Sequence, residues 1–188
     1  MTLPTKNLLE VWEWRGFWPA EANCFSLLPN EKQQAFTQAT TQAKHDVYLL
    51  ADSPSIIKCR KNKLEIKPFA KAHESCKAFH PKTIHHFPLA ADIISQLFPQ
   101  STASSIVIDD IHVLAKQLGW KAMSISKKRS KITLQNKTQI EFCRFDVEGK
   151  PYHSFCIEGL YLDDILTEAQ PLRQNGVIEM DYASFIRS

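Results

Sequence analysis

Glycine is scarce in this chain, with five among 188 residues. That excludes collagen-like and glycine-linker architectures and leaves few positions for strained turns. The cysteines (Cys24, Cys59, Cys76, Cys143 and Cys156) are an odd, scattered set with no C-x-x-C pair. They exclude a disulfide framework and suggest a reduced intracellular protein, with Cys59, Cys143 and Cys156 on strand-like segments as small packing residues rather than reactive thiols. No apolar run approaches the roughly 18 residues of a membrane span. Met1 to Lys6 leads into a charged aromatic segment without the apolar core of a signal peptide. A cytoplasmic chain with no membrane partner is the expectation. There is no glycine-rich phosphate loop and no dinucleotide fingerprint, so nucleotide binding by those routes has no support.

The chain is 44% hydrophobic and 23% charged, which is ordinary globular composition, and its length suits one domain over residues 1–188. A formal charge of +3 does not by itself suggest a nucleic-acid binder, and no sequence-specific nucleic-acid contact is expected. The total hides an uneven distribution. Lys58 to Lys82 holds eight bases against Glu65 and Glu74. Lys116 to Lys131 holds six bases and no acid, and from Glu141 onward nine acids face four bases.

Alternating aromatic and β-branched residues predict a strand over Leu8–Phe17, with Val11, Glu13 and Arg15 on one face and Trp12 and Trp14 on the other. Asn30–Lys44 reads as a polar helix with Asn30 as its cap. A short strand over Asp46–Leu50 follows. Ile56–Arg60 and Leu64–Phe69 form a hairpin whose turn carries Asn62 at a left-handed position. Ala70–Phe87 has no clear period. Leu89–Phe98 is helical in spacing, and Ile106–Leu118 is a helix closed by Gly119, although Ser104–Ile108 also suits a short strand. Strands are expected near Trp120–Lys127, Ser130–Gln135, Thr138–Val147 and Tyr152–Gly159, with turns at Asn136-Lys137 and Glu148-Gly149 and a helix from Asp163 to Ala169. Many strands joined by short turns, with a few helices interposed, indicate an antiparallel α+β domain or a barrel.

Residues two apart on a strand share a face, which pairs Lys58 with Arg60, Glu65 with Lys67, and Lys127 with Arg129. Such a face is either a solvated sheet surface or the lining of a barrel interior, where cations at strand spacing would clasp a phosphate-rich anion. Glu13, Glu141 and Glu158 also fall on strands. If they converge, they suit oxygen-preferring Mg²⁺ or Mn²⁺ bridging carboxylates and phosphates. His73, Cys76, His80, His85 and His86 cluster in sequence, but their spacing matches no usual zinc pattern. The aromatics near Trp12 and Trp14 suit sheet packing, base stacking or a protein contact.

In order, DVYLL, IKCR, LEIK, the run DDIHVLAKQLGWKAMSISKKRSKI, and QIEFCRFDVEGKPYHSFCIEG resemble the CYTH superfamily, the triphosphate tunnel metalloenzymes, and the final DYASFI fits the same order. The resemblance implies an eight-stranded antiparallel barrel with flanking helices, enclosing a basic tunnel that works with a divalent metal. It implies phosphate binding by Arg15, Lys58, Arg60, Lys67, Lys127 and Arg129, and metal binding by Glu13, Glu141 and Glu158, with Glu13 and Glu141 catalytic. The activity implied is metal-dependent hydrolysis of a triphosphate or organic triphosphate, with Mg²⁺ or Mn²⁺. Two positions depart from the family's paired acids: Val11 in the first strand, where Glu-x-Glu-x-Lys is usual, and Cys156 in the late one. They keep open a non-catalytic polyanion- or nucleotide-binding module, and a barrel repurposed for protein contact.

Overall fold

The strands owe their length to alternation. In Val11–Pro19 (β1), Glu13, Arg15 and Phe17 leave one side of the sheet, while Trp14 and Trp18 leave the other and are fully buried there. The computed structural model describes residues 9–99, 107–174 and 176–188. After β1 come α1 (Asn30–Gln38), β2 (Gln42–Leu50), β3 (Ile56–Arg60), β4 (Lys63–Lys67), β5 (Phe69–His73), β6 (Cys76–Phe79) and β7 (Thr83–His86). Then follow α2 (Ala91–Leu97), α3 (Ile111–Leu118), β8 (Lys121–Thr133), β9 (Gln139–Val147) and β10 (Lys150–Gly159). The chain finishes with α4 (Leu162–Ala169), β11 (Ile178–Glu179) and α5 (Tyr182–Phe185).

All pairings are antiparallel, in the order β5-β6-β1-β10-β9-β8-β2-β3-β4-β7, with β11 added beside β1. The fold is therefore α+β and curled, as the resemblance implies. Its strand count differs from the expected eight. Among the described residues eleven strands take part, and β5 and β7 end the hydrogen-bonded path without pairing to each other. The curl instead brings β4 opposite β1 and β10, where Lys67 reaches Glu13 and Glu158.

Three apolar clusters hold this shape. Outside the sheet, α2 and α3 pack on β2, β3 and β4 through Ile94, Leu114, Val47 and Leu64. Also outside, α1 and α4 cover β1, β9 and β10 through Phe36, Ile165, Trp14 and Phe142. Inside, Phe17, Tyr48, Phe145, Tyr182 and Phe185 fill one end of the barrel, and α5 closes that end as a plug. Phe185 stacks on Phe17 at 3.9 Å, and Tyr182 stacks on Tyr48 at 5.0 Å. Trp14 is thus core, which favours the sheet-packing reading of these aromatics over base stacking or protein contact.

Several boundaries differ from the sequence reading. The helix beginning at Asn30 stops at Gln38 rather than Lys44, because Gln42, Ala43 and Lys44 extend β2 against Arg129, Lys128 and Lys127. The two strands expected between Trp120 and Gln135 are one, since Lys127–Thr133 pairs without interruption with β9. The helix before Gly119 begins at Ile111, where the Asp110 side chain accepts from the backbone amides of His112 and Val113; residues 104–106, expected as helix or strand, lie outside the described residues. Gly119 closes α3 at φ +68°, and Lys61 and Asn62, both at positive φ, make the two-residue β3–β4 turn. Ala70–Phe87, which showed no period, supplies most of β5 and all of β6 and β7.

Candidate functional site

The residues that alternate with the core positions meet inside the curl. Glu13 and Arg15 on β1, Lys58 and Arg60 on β3, Glu65 and Lys67 on β4, Lys127, Arg129 and Lys131 on β8, Glu141 on β9 and Glu158 on β10 line one cavity of about 290 Å³. Every substrate, catalytic and metal candidate named from the sequence lines it. The larger hollow of about 770 Å³ on the outer face, beside Phe98 and Trp120, carries a single charged residue, Asp52. With Lys82 included, eight cations and four carboxylates line the inner cavity. The solvated-surface reading of these strand faces is overturned, because the curl of the sheet turns them inward.

Two ion-pair centres organise the charges. Asp46, fully buried on β2, accepts from Arg60 Nε at 2.5 Å and Nη2 at 2.6 Å, and pairs with Lys127 Nζ at 2.9 Å and Lys58 Nζ at 3.5 Å. Burial alone would raise its pKa, but Arg60, Lys127 and Lys58 hold it well below the usual carboxylate range. Crowding has the opposite effect on Lys58. Burial first, and then Lys127 and Arg60, lower its pKa to about 8 despite the attraction of Asp46.

The second centre is Glu13. Its carboxylate accepts from Arg15 Nε at 3.1 Å and Lys67 Nζ at 3.0 Å, and Lys67 also reaches Glu158 at 2.8 Å. Burial works against ionisation, yet Lys67 and Arg15 bring the Glu13 pKa down to about 2. Glu141 pairs with Arg129 at 2.9 Å, and Arg15 and Lys127 hold it ionised against its burial. Glu65 pairs with Lys82 at 3.3 Å and Lys58 at 3.8 Å. Each carboxylate of the cavity therefore already faces a cation. Arg15 keeps one buried nitrogen, Nη1, without a hydrogen-bond partner among the described residues.

A divalent cation needs converging donors. Among the described residues one group qualifies: ligand atoms of Glu13, Cys156 and Glu158 lie within 4.8 Å of one another. Glu141 lies outside that group, and so does the histidine cluster. Antiparallel register explains the convergence, since Glu158 lies opposite Glu13, while Cys156 lies opposite Arg15 and shares the face of Glu158.

Sequence reasoning missed Asp46 as the buried partner of three lining cations, and Cys156 as a neighbour of Glu13 and Glu158. Both carried a usable signal. Asp46 opens the DVYLL segment two residues before Tyr48, which lines the cavity, and Cys156 is two before Glu158, so each shares the inward face of a lining residue.

No family model matches the sequence, and no curated protein matches it significantly. Among the solved structures that share the fold are two proteins described as proposed adenylyl cyclases. One is a Hippeastrum protein described as a proposed adenylyl cyclase with a dominant triphosphatase activity. It has a TM-score of 0.55 and 13% identity over 95% of this chain and 95% of that one. The other, described as a proposed adenylate cyclase, comes from Bacillus halodurans. Its TM-score is 0.50, with 10% identity over 93% of this chain and 96% of that one. The chain therefore shares its architecture with these two proteins.

Proposed function

We propose that this chain binds a linear triphosphate, free or attached to an organic group, in the inner cavity and hydrolyses its terminal anhydride with a divalent cation. The observation that carries the reading is the convergence of eight cations on one cavity of about 290 Å³ that also contains Glu13 and Glu158. Phosphate oxygens suit planar Arg60 and Arg129, which offer paired donors, and Lys58, Lys67 and Lys127, which offer compact charge. Arg15, with its free buried Nη1, would take a further oxygen.

When bound, the cation (Mg²⁺ or Mn²⁺ by the resemblance) polarises a phosphoryl oxygen and offsets charge during transfer. Water oxygen would bond to the terminal phosphorus as the bridging P–O bond breaks, giving phosphate and diphosphate or its ester, with the water's proton passing to a phosphate oxygen and on to solvent. Glu13 and Glu141 orient that water through accepted hydrogen bonds. With its pKa near 2, Glu13 is a weak proton acceptor, so its role is positioning rather than general-base catalysis. The triphosphatase activity described for the Hippeastrum protein accords with this reading. Release of phosphate from tripolyphosphate and nucleoside triphosphates, assayed with Mg²⁺, Mn²⁺ and Co²⁺, tests it. No release under any combination sinks the enzyme reading.

A second reading rests on the pairing of each cavity carboxylate with a cation. A site so neutralised suits a binding module that recognises a polyanion without turnover. Calorimetry separates the two: tight tripolyphosphate binding, indifferent to added divalent cation and without turnover, supports the module.

A further inference from the structure

We infer that Glu13, Cys156 and Glu158 form a mixed thiolate–carboxylate site for a borderline divalent cation such as Zn²⁺ or Co²⁺, in preference to Mg²⁺. The inference rests on reading the inner cavity as the working site, and it concerns which ion that site selects.

The geometry is set by strand register rather than by loops. Cys156 and Glu158 share one face of β10, and Glu13 stands opposite Glu158 on β1. Donor atoms bonded to one ion at roughly 2.0–2.3 Å lie within about 4.6 Å of each other. The three donors here fall within 4.8 Å of one another, so side-chain adjustment of about a few tenths of an ångström or more, with the strands in place, brings them onto one ion. Cys156 is 2% exposed and buried beside Arg15, Glu13 and Glu158. It differs from Cys24 and Cys76, which sit in the apolar cluster on the outer face.

Donor chemistry then decides the ion. Mg²⁺ demands about six oxygen ligands in a near-ideal octahedron and has little affinity for sulfur, whereas thiolate and carboxylate together suit Zn²⁺ and Co²⁺ in lower coordination. On ligation the thiol gives its proton to solvent, and water or a phosphate oxygen completes the shell.

Lys67 is the internal competitor. Its ammonium bridges Glu13 at 3.0 Å and Glu158 at 2.8 Å from β4, a strand not paired with β1 or β10. An entering ion takes over both carboxylates and displaces Lys67 toward the cavity, where it is free to hold phosphate. Metal and anion would then bind cooperatively, because the ion releases a cation for the anion.

The test is a Co²⁺ titration of the full chain followed by absorption, since a cobalt–thiolate bond gives a near-ultraviolet charge-transfer band. The expected result is a band saturating at one equivalent, abolished by Zn²⁺ but not by a large excess of Mg²⁺. Cys156→Ser should lose the band and weaken Zn²⁺ binding by at least about tenfold, whereas Cys59→Ser should keep both. Lys67→Met removes the competitor and should tighten Co²⁺ binding, a gain that misfolding cannot mimic. Absence of the band, its survival in Cys156→Ser, or its displacement by equimolar Mg²⁺ overturns the inference. Phosphate release with Mg²⁺ in a protein lacking the band overturns this site and leaves the triphosphatase reading standing. A thiolate band in a protein that releases no phosphate with any ion does the reverse.

Discussion

Arg60 grips Asp46 with two nitrogens, Nε to Oδ1 at 2.5 Å and Nη2 to Oδ2 at 2.6 Å, in the interior where a phosphate would be held. The carboxylate is fully buried and draws Lys127 and Lys58 to the same point. It gathers cations much as a phosphate group would, so under the proposed function it would both assemble the anion site and compete with its ligand.

Asp46→Asn should therefore separate assembly from competition. Loss of the charge leaves three cations crowded together, and stability should fall by roughly 3 kcal/mol, the scale for breaking a buried ion pair. Affinity for tripolyphosphate should rise by about tenfold, corresponding to one charge-assisted contact regained by the ligand. Thermal unfolding with and without tripolyphosphate checks both, and the anion should restore much of the lost stability.

Lys58 should give anion binding a pH dependence. Its pKa is lowered from 10.5 to about 8, so the ammonium is present below that pH and lost above it. Tripolyphosphate affinity should fall as pH rises through about 8, with a proton taken up on binding near that pH. By the same linkage, relief of the crowded charge makes the unliganded fold gain stability between about pH 8 and 10.5. Lys58→Arg should flatten the affinity profile, because guanidinium stays charged throughout. Calorimetric titrations across this range in two buffers read the effect directly.

Glu13 should govern stability on the acid side. Its pKa is depressed from 4.5 to about 2, so its contribution is complete above pH 4.5 and is lost as pH falls toward 2. Glu13→Gln leaves Lys67 and Arg15 short of a partner and should lower the melting temperature at neutral pH. The gap between variant and parent should close as pH approaches 2, which melting curves across the acid range will show.

The plug should tolerate loss of a hydroxyl but not loss of a ring. Tyr182 Oη is buried with no hydrogen-bond partner among the described residues, while the ring stacks on Tyr48 and faces Lys127 Nζ at 4.5 Å. Tyr182→Phe should change stability by less than about 1 kcal/mol. Phe185→Ala removes the ring stacked on Phe17 and should cost roughly 3 kcal/mol. Denaturant unfolding of the two variants checks the contrast.

The charged pairs were legible because strand period is a local property: Lys58 with Arg60, Glu65 with Lys67, and Lys127 with Arg129 had to share faces whatever the fold. Gly119 and Asn62 were legible for the same reason, since left-handed backbone leaves a local residue signature. Alternation did not say whether those faces met water or each other. Nor did it give the end of α1, where pairing of Gln42–Lys44 with β8 overrides a helix-compatible composition. The strand count was equally out of reach, because β5, β6 and β7 are short and lack a clear period.

By itself, then, the sequence determined an antiparallel α+β chain and the residue pairs that point together, because those follow from backbone geometry over a few residues. Tertiary structure alone decided that the charged faces close on one cavity, that Asp46 anchors three of its cations, and that Cys156 joins Glu13 and Glu158. The physical reason is distance along the chain: Glu13 and Glu158 become neighbours only through the register of β1 on β10, and Lys67 reaches both only because the sheet curls.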